Sequence, residues 1–84
     1  MAWSGLAWLS DSMIHKKLGK QIAAFRRRKG FSQEKLAERS GYSVEFISLV
    51  ERGVNAPSVA GLAKISKALS VEVRELFDFR GGLE

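Results

Sequence analysis

The stretch Ser32-Gln33-Glu34-Lys35-Leu36-Ala37-Glu38-Arg39-Ser40-Gly41-Tyr42-Ser43-Val44-Glu45-Phe46-Ile47-Ser48-Leu49-Val50-Glu51-Arg52-Gly53 carries the reading on which the fold turns. Ser32 and Ser43 are each placed to cap a helix, since a serine hydroxyl accepts from the orphan amides of a first turn. Leu36 and Ala37 point inward from the first of these helices, Ile47 and Val50 from the second. Only Ser40-Gly41-Tyr42 separates Arg39 from Ser43. A link that short makes the two helices cross at a large angle instead of lying antiparallel. Gly41 suits the reversal because it adopts φ above zero at no steric cost. Ala37 lets the second helix approach closely, and Ile47 and Val50 plug the wedge. The opposite face, Val44, Glu45, Ser48, Leu49 and Arg52, is expected to stay exposed.

Outward from this unit the apolar spacing stays helical. Ile14, Leu18, Ile22 and Phe25 form one seam on a first helix over about 14–29. Gly19 interrupts it at a cost of about 1 kcal/mol relative to alanine. Ser58 caps a fourth helix with Leu62, Ile65 and Leu69 inward, and a short fifth begins near Ser70 or Val71. It offers Val73, Leu76, Phe77 and Phe79. None of the capping serines is followed three residues later by Glu or Gln, so no full capping box is expected. The prediction is an all-α, five-helix domain over 13–79, with an extension at 1–12 and a tail at 80–84. Its second and third helices have helix-turn-helix geometry, the third free to enter a major groove.

Composition agrees. Eighty-four residues make one domain, 45% hydrophobic and 27% charged, with no cysteine for a disulfide or a thiolate metal site. The net charge is +5, and seven of the fourteen Lys and Arg fall between Ser12 and Gln33 without one acid. This lean toward a polyanion is carried by the first helix. Lys16, Lys20 and Arg27 point away from its seam while Lys17 and Arg28 lie on a flank, so they cannot all meet one backbone. Long-range steering and direct contact both remain open for them. No run is long and apolar enough to span a membrane. The opening Met1–Leu9 lacks a basic lead and a cleavage site, so a cytoplasmic location is expected by default. His15, the single histidine, reads as an exposed residue near a helix start; no metal or cofactor is expected. Glu34/Glu38 and Glu72/Glu75 share helix faces but lack a cleft or nucleophile, so they read as solvated carboxylates, not an active site.

Leu36-Ala37, Gly41, Ser43, Ile47-Ser48, Glu51-Arg52-Gly53 and Pro57-Ser58, then Leu62-Ala63-Lys64-Ile65 and Ala68-Leu69, resemble the lambda-repressor/Cro (XRE-type) helix-turn-helix family, in register from about Leu18 to Phe77. Size and the segment from Phe46 to Gly53 also resemble controller proteins of restriction–modification systems; small phage-type repressors share these letters. The resemblance implies phosphate contacts from Gln33, Ser43, Arg52 and Asn55. It implies a structural ion pair between Arg26 and Glu51, and base reading by Val44, Glu45, Ser48 and Leu49. Ser40 departs from the pattern, which favours an apolar residue there, and the extension before Met13 lies outside it.

The expected function follows from these residues. Glu45 can accept from a cytosine amine, Val44 and Leu49 can touch thymine methyls, and Ser48 can bond several bases. Direct readout is then modest, with DNA shape and site spacing supplying part of the specificity. So small a module needs doubling on a pseudo-palindrome, which points to a homodimer with candidate contacts at Leu76, Phe77 and Phe79. Phe25, Phe31 and Phe77 read as core, and Tyr42 as a half-packed turn residue. Output would be promoter occlusion or contact with RNA polymerase. The alternative is an antitoxin-like or adaptor module that grips a protein partner through Phe79 or through Trp3, Leu6, Trp8 and Leu9. For that leader, an interface and a natural start at Met13 both remain open.

Overall fold

The computed structural model describes residues 11–80. The leader with Trp3 and Trp8, and the last four residues of the tail, lie outside this range. Helix α1 runs Asp11–Arg28, α2 Gln33–Ser40, α3 Val44–Glu51, α4 Val59–Leu69 and α5 Val73–Leu76, and the described residues contain no strand. The three serines cap as expected. Ser32 accepts from the Lys35 amide, Ser43 from Phe46 and Ser58 from Gly61, at 3.0–3.1 Å. α1 starts earlier than the seam predicted, at Asp11.

α5 starts later than predicted, because Ser70 ends α4 with φ 59, a left-handed conformation. The chain then extends to Glu72, whose amide donates to the Glu75 carboxylate at 2.8 Å. Glu72 and Glu75 are thus a helix-start device, and Glu75 is not merely solvated.

α1 packs on α3 and α5, α2 on α3 and α4, and α4 on α5. Leu18, Ile22, Leu36, Ile47, Val50, Ile65 and Leu69 close the core. Three aromatic expectations are corrected in degree. Phe25 and Phe31 are half-buried against the core, and Phe77 is 41% exposed. Leu76 is the reverse: expected at a subunit contact, it is fully buried, because the α5 turn aims it between α1 and α4. Ser40 keeps its buried place in α2 by donating its hydroxyl to the Leu36 carbonyl at 2.7 Å. Gln21, also buried, donates to the carbonyls of Glu75 and Asp78 at 3.1 and 2.6 Å and so ties α1 to the end of α5.

Candidate nucleic-acid interface

The turn between α2 and α3 is built as the spacing demanded. Gly41 has φ 80, and its amide and that of Tyr42 both donate to the Ala37 carbonyl, at 2.9 and 3.0 Å. Tyr42 is half-buried, stacked on Phe46 with ring centroids 4.6 Å apart. Its hydroxyl lies where a side chain on Gly61 would sit. Through that glycine the aromatic pair seats the start of α3 against the start of α4.

Behind α3 lies a polar lock. The Arg26 guanidinium donates twice to Glu51, Nε to Oε2 at 2.6 Å and Nη2 to Oε1 at 3.0 Å, and its Nη1 donates to the Phe31 carbonyl at 2.8 Å. Both side chains are nearly excluded from solvent, 12% and 6% exposed. Gln33 joins it, donating to Glu51 Oε1 at 2.9 Å. The pair was expected from the resemblance; the Gln33 link was not, and no spacing signal announces it. The start of α2 is thereby fixed to the end of α3. α1 closes on that end at Gly19, where an added Cβ would sit 2.7 Å from the Glu51 carbonyl oxygen and press on that of Val50.

The outer face of α3 forms a stripe at helical spacing: Glu45, Ser48 with Leu49, then Arg52 at the C-cap. Glu45 and Arg52 are exposed, Ser48 and Leu49 half-buried. Val44 was expected in the open and instead packs partly against the core, so less of it faces outward. The starts of α2 and α3 each leave their first two amides, at Gln33–Glu34 and Val44–Glu45, without an intrahelical acceptor, which suits them to anionic oxygens. Asn55 is exposed just beyond, its amide held by the Leu49 carbonyl at 3.3 Å. The basic run of α1 divides: Arg26 turns inward, Arg27, Arg28 and Lys29 stay exposed, and Lys16, Lys17 and Lys20 gather near Arg52. No group of three His, Cys, Asp or Glu able to hold a metal occurs among the described residues, and no helix among them is long and apolar enough to cross a membrane.

The helix-turn-helix family model HTH_3 matches residues 22–76, the span that holds this turn, the lock and the stripe. The chain belongs to that family, of the XRE type. It is 48% identical over 62 residues to the HTH-type transcriptional regulator SlrR of Bacillus subtilis (strain 168), covering 73% of this chain and 41% of SlrR. It is 40% identical over 63 residues to the HTH-type transcriptional regulator y4dJ of Sinorhizobium fredii, covering 75% and 82% of the two chains. Among solved structures, the restriction–modification controller protein C.AhdI from Aeromonas hydrophila superposes with a TM-score of 0.74 at 40% identity. That match covers 75% of this chain and 96% of the controller. The named relatives are regulators rather than enzymes. The chain thus spans less than half of SlrR and most of C.AhdI.

Proposed function

We propose that this domain is a sequence-specific transcriptional regulator of the bacterial cytoplasm that binds a pseudo-palindromic operator as a homodimer. One observation carries the reading. The Arg26–Glu51–Gln33 lock and the Gly41 turn hold α2 and α3 as a rigid pair, with the stripe of α3 on the outside. Glu45, Ser48 and Leu49 meet base edges, and Val44 contributes the part of its side chain left open. Gln33, Ser43, Arg52 and Asn55 meet phosphates on either side. The exposed Phe77, in edge contact with Phe79 at 6.3 Å between centroids, supplies the subunit contact. The likeness to a restriction–modification controller protein supports a regulatory role for the domain.

The test is selection of duplexes from a random library, followed by titration of the selected site. Binding no tighter than to random DNA overturns the reading. Glu45→Ala should relax base preference at one position, whereas Gln33→Ala should weaken binding to all sequences. A dimer making about 6–10 phosphate contacts should lose roughly 10³–10⁵ in affinity between about 50 and 200 mM salt. Phe77→Ser should shift sedimentation from dimer to monomer.

A further inference from the structure

At the junction of α1 and α3 the fold gathers charges that the linear sequence keeps apart. Lys16 and Lys20, four residues apart on α1, line the same hollow as Arg52 at the C-cap of α3. All three are exposed, and none is ion-paired with a carboxylate among the described residues. Glu51 borders the hollow, but its oxygens are already taken by Arg26 and Gln33. Bare glycines draw the elements together. Gly53, at φ 78, lies so close to α1 that an added Cβ would be 2.8 Å from the Lys16 Cα, and Gly19 receives the last carbonyls of α3. Three like charges thus converge without a local counter-charge.

Their place relative to the stripe indicates the anion. α3 has eight residues, a length of about 12 Å, and the major groove of B-DNA is about 12 Å wide. An α-helix is also about 10–12 Å across, so α3 would fill the groove by lying along it, with its two ends near different points of the backbone. The start of α3 lies at one end of the stripe; Arg52 lies at the other, beside the start of α2 that Gln33 ties to Glu51, and Lys16 and Lys20 extend the charge beyond it along α1.

We propose that Lys16 and Lys20 join Arg52 in gripping the phosphate backbone where it passes the C-terminal end of α3. The proposal rests on the DNA-binding reading above. It makes the first half of α1 a contact surface and leaves the Arg27–Lys29 run to long-range attraction.

The experiment measures affinity for the wild-type-selected duplex against salt concentration for Lys16→Gln/Lys20→Gln. A charge-matched control is Lys64→Gln/Lys67→Gln, which removes two lysines from a separate basic hollow shared with Lys29 and Arg39. Each lost phosphate contact lowers the log–log salt slope by about 0.9, so a dimer losing two per protomer loses about 3 to 4. The control should lose less than about 1, and Lys16→Arg/Lys20→Arg should keep the wild-type slope. Equal losses in the two Gln pairs would show charge acting at a distance and overturn the contact. An unchanged slope with a lower melting temperature would assign the lysines to the negative end of α3 instead, and also overturn it. If the wild type itself selects no site, the DNA-binding reading fails, and that outcome is visible before any variant is compared.

Discussion

Two ends of this molecule use the same chemistry to opposite effect. At the α1–α3 corner, Arg26 and Glu51 form a two-pronged pair almost out of solvent, joined by Gln33. At the α5 end, Arg74 pairs with Glu72 at 2.6 Å and Arg80 with Asp78 at 3.0 Å, with all four side chains in water. Distance does not separate the two cases; surroundings do. A pair in water gains little, because solvent screens it and two long side chains lose freedom. A pair that has lost its water must keep its partner, since either charge alone would be stranded. The corner therefore fixes an orientation, while the pairs at the end decorate a surface.

The largest expected effect comes from breaking the buried pair. Glu51→Ala leaves the Arg26 guanidinium without its counter-charge and should cost about 3–5 kcal/mol, measured by urea denaturation. Arg26→Met/Glu51→Leu, which removes both charges, should recover much of that loss in stability. It should not restore DNA binding, because the link from Gln33 to α3 is also gone. Recovery of binding in the double variant would show that the lock has no orienting role.

Gly19→Ala tests the same corner through its backbone. In a solvated helix that change would gain about 1 kcal/mol. Here the new methyl meets the Val50 and Glu51 carbonyls, which are backbone and cannot swing aside. A loss of about 1–3 kcal/mol is expected, and any gain would disprove the close approach. Gln21→Ala probes the other end: it strips donors from the Glu75 and Asp78 carbonyls and should cost about 1–2 kcal/mol. Hydrogen exchange should quicken around α5 far more than in α3.

These variants also mark what could be read from the chain. The turn, the three serine caps and the inward Leu36, Ala37, Ile47 and Val50 were legible because each follows from local spacing or from one residue's conformational range. On the α3 stripe the exposure of Glu45 and Arg52 was legible for the same reason, whereas Val44, Ser48 and Leu49 are half-buried, which depends on neighbouring elements. Gly19 was visible only as a cost; its purpose is contact with residues more than thirty positions away. Gln21 gave no signal, and Gln33 none of its bond to Glu51, since an amide that pairs with a distant partner looks like any solvated amide. α5 was misplaced because Ser70 takes a left-handed φ that serine rarely adopts. Leu76, expected at a subunit contact, is buried, and Phe77, read both as core and as a contact, is exposed.

The smallest expected effect lies at the exposed pair and sharpens the contrast from below. Hydrogen bonds from Arg80 hold the Asp78 carboxyl below its ordinary value of 3.8. A depressed carboxylate stabilises the fold above the ordinary carboxylate range and loses that contribution as pH falls through its folded value. Arg80→Ala should therefore return Asp78 to the ordinary range in an NMR titration. The melting temperature at pH 7 should fall only slightly, since water replaces the guanidinium at little cost. A titration shift with only that slight drop would show that a short ion pair is not by itself a strong structural tie. A clear drop in melting temperature would mean that the α5 end is held by charge as firmly as the corner, and the distinction between the two regions would fail.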